Sequence, residues 1–175
     1  MHLWQRAASL AARCHAGQLR KDGCTPYITH PYRVAMVIRE IFGVDDPVIL
    51  AAALLHDVIE DSPADYDDIA QECGTEVADY VACMTKDMRM VESEREEAYD
   101  RQLTAGPWQA RLVKLADVYD NICDSAPGAS RRKTTSKAPR AIACAGNDPR
   151  LSTAIRIVQE LVDKMGEFES ARIQP

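Results

Sequence analysis

The segment LLHDVIED, Leu54 to Asp61, places one histidine and three acids within six positions. It follows VILAAALL, the most continuously apolar stretch of the chain. Charged side chains at the end of a buried helix are costly unless something pairs with them. Two readings follow: the run reaches solvent abruptly here, or these side chains hold a metal ion. Residues four apart share a helix face, with Cβ atoms roughly 5–6 Å apart, so His56 lies beside Glu60 and Asp57 beside Asp61. His56 and Asp57 point about 100° apart on a helix, yet can converge on one ion at its edge. Three acids near a helix C-terminus oppose the helix dipole, and a cation would account for them.

Two further residues suit the same chemistry. Asp117 is an acid inside the apolar segment LVKLADVYDN, and His30 ends a loop directly before Pro31. Taken singly, each has a plainer reading as a cap or a hydrated helix face. Together, two imidazoles and two carboxylates form a mixed nitrogen and oxygen set suited to Mn²⁺, Fe²⁺ or Zn²⁺, with positions left for water. The absence of a thiolate among them argues against a structural zinc site.

The elements that must position these residues read as helices. A first helix runs to about His15, and a loop rich in Gly and Pro, GQLRKDGCTPYITHP, leads to a second helix opened by Pro31 and stopped by Gly43. Asp46 and Pro47 form an N-cap and first-turn pair for a third helix, predicted to reach about Glu60 before SPAD breaks it. Further helices are predicted at Tyr66 to Cys73, Glu76 to Lys86, Glu92 to Leu103, over WQARLVKLADVYDNICD, and from Leu151 to Phe168. The segment Ser125 to Pro139 is polar, basic and rich in small residues, which predicts a mobile loop. No alternating strand pattern survives, so the predicted fold is all-α, a compact multi-helix bundle, with residues 1–175 as a single domain.

Composition narrows the function classes. The chain is 46% hydrophobic and 27% charged, with a formal charge of −6 and a sequence pI near 5.2. That balance excludes a general duplex nucleic-acid binder. It leaves room for an anionic small molecule if basic groups gather locally. The six cysteines form no C-x-x-C pair, which predicts reduced, mostly buried thiols. The longest apolar run is eight residues, too short to span a bilayer, and the N-terminus has no secretory pattern. A cytoplasmic protein with no membrane or nucleic-acid partner is expected. The sequence carries no signature of oligomeric state.

Three motifs, HAGQLRKDGCTPYITHP, ALLHDVIEDS and KLADVYDN, occur in this order and spacing from the first helix to about Asn121. In that arrangement the chain resembles the hydrolase domain of the RelA/SpoT homologues, within the HD superfamily of metal-dependent phosphohydrolases. With 175 residues, it is most similar to the small, single-domain alarmone hydrolases. The resemblance implies that His30, His56, Asp57 and Asp117 bind one Mn²⁺, and that Glu60 and Asp61 position or deprotonate the attacking water. It also implies that Arg20 and Lys21 line the nucleotide pocket and that Asn121 lies near the ribose and base.

The implied reaction is hydrolysis of the 3′-pyrophosphate of (p)ppGpp, or of a related purine alarmone such as (p)ppApp. The alternatives are a phosphatase acting on another nucleotide such as NADPH, and a nucleotide-binding sensor without turnover. Arg111, Lys114 and Arg131 to Lys133 are further candidates for neutralising phosphate charge. Asp124 stands where many relatives have a small polar residue, and at the pocket edge it is expected to repel phosphate or to read the base.

Overall fold

The computed structural model describes residues 1–173, with side chains described to Phe168. Helices α1 (Leu3–Cys14), α2 (Thr29–Met36), α3 (Pro47–Leu55), α4 (Val58–Asp61), α5 (Tyr66–Cys73) and α6 (Thr75–Met84) make the first half. Helices α7 (Glu92–Ala105), α8 (Trp108–Asp124), α9 (Ala129–Thr135), α10 (Ala138–Ala145) and α11 (Ser152–Ile173) make the second. The protein is all-α. Among the described residues the only β contact is an isolated antiparallel bridge between Leu19 and Pro26.

Helix α3 forms the centre of the bundle. Its start is fixed by Asp46, whose side chain accepts from the amides of Val48 (2.8 Å) and Ile49 (3.2 Å), and by Pro47 in the first turn. Ile49, Ala51, Ala52, Ala53, Leu54 and Leu55 are all buried. Because α3 is apolar on every side, it is enclosed by α1, α2, α6 and α8. Helix α8 packs on the other side against α2, α10 and α11. Its buried leucine, valine and isoleucine positions carry Asp117 and Asp120 into the same interior.

Three expectations are corrected. The third helix does not run unbroken to Glu60: it ends at Leu55, and α4 begins after a turn at His56 and Asp57. His56 Nδ1 bonds the Ala53 carbonyl at 2.8 Å, and Asp57 adopts φ −102°, ψ −1°, so the chain turns at this dipeptide. The Ser125 to Pro139 segment is largely helical, comprising α9 and the start of α10. Alanines 138, 141 and 145 bury α10 against α8, a small-residue face that carries little hydrophobic signal. The six cysteines are free, but only Cys73 and Cys144 are buried, whereas Cys24 and Cys123 are exposed.

Candidate metal centre and nucleotide cleft

Four elements bring the predicted ligand set together. His30 lies in the first turn of α2, His56 and Asp57 form the α3–α4 turn, and Asp117 sits midway along α8. His30 Nε2 is 3.2 Å from Asp117 Oδ1 and 3.7 Å from Asp57 Oδ2. His56 Nε2 is 3.0 Å from Asp57 Oδ2 and 3.8 Å from Asp117 Oδ1. One ligand atom each from His30, His56 and Asp117 lies within 4.8 Å of the others, and all three residues are buried.

The hydrogen bonds around this cluster fix which atoms face inward. The His56 Nδ1–H donates to the Ala53 carbonyl, and the His30 Nδ1–H donates to Asp120 Oδ2 at 2.7 Å. Each imidazole therefore turns Nε2 inward, and in the neutral ring that nitrogen is the acceptor, the tautomer that metal-binding histidines use. His56 Nε2 is buried and has no hydrogen-bond partner. Two Nε2 atoms and two carboxylates thus converge as acceptors, a donor set that fits a divalent cation.

The local electrostatics point the same way. Burial pulls the His56 pKa down, but Asp57 and Asp117 outweigh it and push it up to about 9. His30 is likewise raised, because Asp117 and Asp120 outweigh its burial. Asp117 is held well below the usual carboxylate range: Lys114, His30 and His56 overcome the effect of its burial. The cluster attracts positive charge, and a metal ion or protons can supply it.

Glu60 and Asp61 follow on α4. Glu60 Oε1 accepts from the Lys86 amide at 2.6 Å. Burial, helped by the neighbouring Asp57 charge, raises the Glu60 pKa above its ordinary value, with Lys86 opposing. Asp61 is more exposed, and burial and Asp57 raise its pKa too. Tyr27 Oη donates to Asp57 Oδ2 at 2.5 Å. Its ring lies 4.8 Å from that of His15, a buried residue whose Nδ1 meets Gln18 Oε1 at 2.8 Å.

Residues 7–140 match the HD domain family. The chain belongs to that family. It is 40% identical over 119 residues to the human guanosine-3′,5′-bis(diphosphate) 3′-pyrophosphohydrolase MESH1, covering 67% of this chain and 66% of the human protein. It is 41% identical over 124 residues to the Escherichia coli bifunctional (p)ppGpp synthase/hydrolase SpoT, covering 67% of this chain but 17% of SpoT. The chain thus spans just under two thirds of the MESH1 length and a small part of SpoT. Among solved structures, a metazoan ortholog of SpoT described as hydrolysing ppGpp superposes with a TM-score of 0.81 at 26% identity, over 95% of this chain and 97% of that one. HD domain hydrolases bind a divalent metal ion, in keeping with the donor set described above.

Beside its metal-type cluster, this HD domain has a cleft of about 650 Å³ whose wall carries Lys21, Lys86, Lys114, Lys133 and Lys137 together with acids such as Glu96, which pairs with Lys86, and Asp117. Lys114 Nζ pairs with Asp117 Oδ2 at 2.8 Å. Lys137 has its pKa lowered by burial and by the charges of Lys114 and Lys86, a crowd of cations that an anion would relieve. Arg20 also reaches the cleft; its Nη2 donates to Asn121 Oδ1 at 2.9 Å. A rigid turn presents Arg20 and Lys21: Asp22 accepts from the amides of Cys24 and Thr25, and Gly23 has φ +74°.

Some candidates lie elsewhere. Arg111 binds the Ala145 carbonyl and Asp148, anchoring the end of α10 outside the cleft. Arg131 bonds the Ser125 carbonyl. Asp124, by contrast, lines the cleft, with its Oδ2 held by Arg20 and Arg33.

Sequence reasoning missed Asp120, Tyr27, Lys86 and Lys137. The spacing of Asp117, Asp120, Asn121 and Asp124 along one face of α8 is the signal for Asp120. Lys137 lies in the polar, small-residue segment whose composition predicts a loop. The Lys86 contact is made by its backbone and leaves no trace in residue type.

Proposed function

We propose that this HD domain is a Mn²⁺-dependent hydrolase that removes the 3′-pyrophosphate of (p)ppGpp or a closely related purine alarmone. The observation that carries this reading is the convergence of His30, His56, Asp57 and Asp117 beside a cleft that brings Lys21, Lys133 and Lys137 together. The activity named for MESH1, and the ppGpp hydrolysis described for the solved metazoan relative, support it.

In this reading His30, His56, Asp57 and Asp117 hold the ion, which supplies Lewis-acid chemistry by acidifying water and offsetting phosphate charge. Glu60, with a raised pKa, accepts a proton from the attacking water, and Asp61 helps to orient that water. The water oxygen bonds to the phosphorus attached to the 3′ oxygen, and the bond to the 3′ oxygen breaks. That oxygen leaves with a proton, releasing pyrophosphate and GDP or GTP. Lys21, Lys133 and Lys137 compensate the phosphates, while Arg20 and Asn121 contact the purine and ribose. Residues 1–175 act as one unit in the cytoplasm, in keeping with six unpaired cysteines.

The test is a substrate panel: purified protein with Mn²⁺, offered ppGpp, pppGpp, their adenine counterparts and NADPH, scored for pyrophosphate against phosphate. Pyrophosphate release from an alarmone is expected. Phosphate release from NADPH alone would replace this reading with a single-phosphate phosphatase.

A further inference from the structure

Seven side chains close a ring of polar contacts that begins on one nitrogen of His30 and ends on the other. His30 Nδ1 meets Asp120 Oδ2 at 2.7 Å. Arg33 grips Asp120 with two nitrogens, Nε at 2.7 Å and Nη2 at 3.0 Å. The same Nη2 lies 3.0 Å from Asp124 Oδ2, which also accepts from Arg20 Nε at 2.9 Å. Arg20 Nη2 donates to Asn121 Oδ1, and Asn121 Nδ2 donates to Asp117 Oδ1 at 2.5 Å. That oxygen lies 3.2 Å from His30 Nε2.

Asp117, Asp120, Asn121 and Asp124 recur at helical spacing, so α8 presents one polar face to two arginines, Arg20 from the loop and Arg33 from α2. Asp120 is 4% exposed, and outside its bond to His30 its charge is matched by the Arg33 fork. Arg33 is 37% exposed at its side chain, so it clamps the ring from the outer side. A planar guanidinium presents its N–H groups as a rigid fork, so Arg33 holds the two carboxylates in a set geometry that a rotating ammonium would not impose.

We propose that Arg33 is a positioning residue that couples the metal centre to the nucleotide cleft. Through Asp120 it fixes the direction of the His30 ring; through Asp124 it fixes the guanidinium of Arg20. The inference rests on the reading of His30 as a metal ligand and Arg20 as a substrate contact.

The experiment measures Mn²⁺ affinity without substrate, from the paramagnetic resonance signal of free Mn²⁺, and then KM and kcat for ppGpp at saturating Mn²⁺. Arg33→Met should weaken Mn²⁺ binding about tenfold, as loss of a residue supporting a ligand does. It should also raise KM severalfold while kcat stays within about threefold. Asp124→Ala opens the ring on the cleft side, so it should raise KM with Mn²⁺ affinity nearly unchanged. Combining the two should raise KM by less than the product of their separate effects. Asp120→Asn, close to isosteric, opens the ring at the neighbouring link. It should reproduce the Mn²⁺ loss, which keeps the test decisive if Arg33→Met does not fold.

His56→Ala lies outside the ring and tests the metal centre alone. Wild-type Mn²⁺ affinity in His56→Ala overturns the metal reading and the coupling with it. Loss of Mn²⁺ there, with both readouts unchanged in Arg33→Met, overturns the coupling alone.

Discussion

The Lys86 amide donates to Glu60 Oε1 across 2.6 Å, so the chain just beyond α6 aims a carboxylate carried by α4. Because the donor is backbone, the contact survives changes to the lysine side chain. Glu60→Gln keeps an oxygen for that amide but removes the group able to take a proton. Turnover should fall on the order of 10²–10⁴-fold, with Mn²⁺ affinity retained. Asp61→Asn, at a more exposed position, should cost less, about tenfold or more. Steady-state rates alongside metal titration check both. Loss of the metal in Glu60→Gln would overturn the separation of roles between Glu60 and the ligand cluster.

Metal-free protein should show a pH dependence that Mn²⁺ removes. His56 is raised to about 9 in the folded state, from an ordinary value of 6.5. Its protonation therefore adds stability that is full below about pH 6.5 and disappears as pH rises through about 9. The unfolding midpoint of chelated protein should fall by roughly 5–10 °C across that window. Added Mn²⁺ should displace the proton, restore the midpoint and bind more tightly as pH rises. A flat midpoint between pH 6.5 and 9 would contradict the electrostatics of the cluster.

Tyr27→Phe removes the hydroxyl that donates to Asp57 Oδ2 and leaves the ring against His15 in place. Asp57 then loses the contact that fixes its carboxylate. Mn²⁺ affinity should drop about tenfold while thermal stability changes little. Calorimetric titration with Mn²⁺ measures the first, and a melting curve the second.

Lys137→Ala should raise KM for a polyphosphorylated nucleotide about tenfold and change kcat less. Lys137 lines the cleft among other cations and sits outside the ligand cluster. The difference from wild type should shrink with added salt, because the contact is a charge on a partly open wall. A KM that does not move would place the phosphates elsewhere in the cleft.

The sequence by itself determined the all-α class and most of the helices, though not α9, α10 or the break between α3 and α4. Asp46 and Pro47 open α3, the all-round apolar character of VILAAALL demands burial, and Asp117 within an apolar segment marks α8 as a carrier of interior charge. These features are local: capping, periodicity and a charge where none is expected, each readable within a turn or two of chain. His30, His56, Asp57 and Asp117 could be nominated from residue type and motif spacing for the same reason.

Only the tertiary structure decided how those residues meet. The periodic pattern reads straight through His56 and Asp57, whereas the chain turns there, because the His56 side chain bonds the Ala53 carbonyl and Asp57 leaves helical geometry. Helix α10 was invisible because alanine gives a weak hydrophobic signal until α8 lies against it. Asp124 lines the cleft, and only the fold shows that Arg20 and Arg33, from 104 and 91 residues earlier in the chain, meet at its Oδ2. Contacts at that sequence separation depend on where whole helices pack, and no local pattern encodes them.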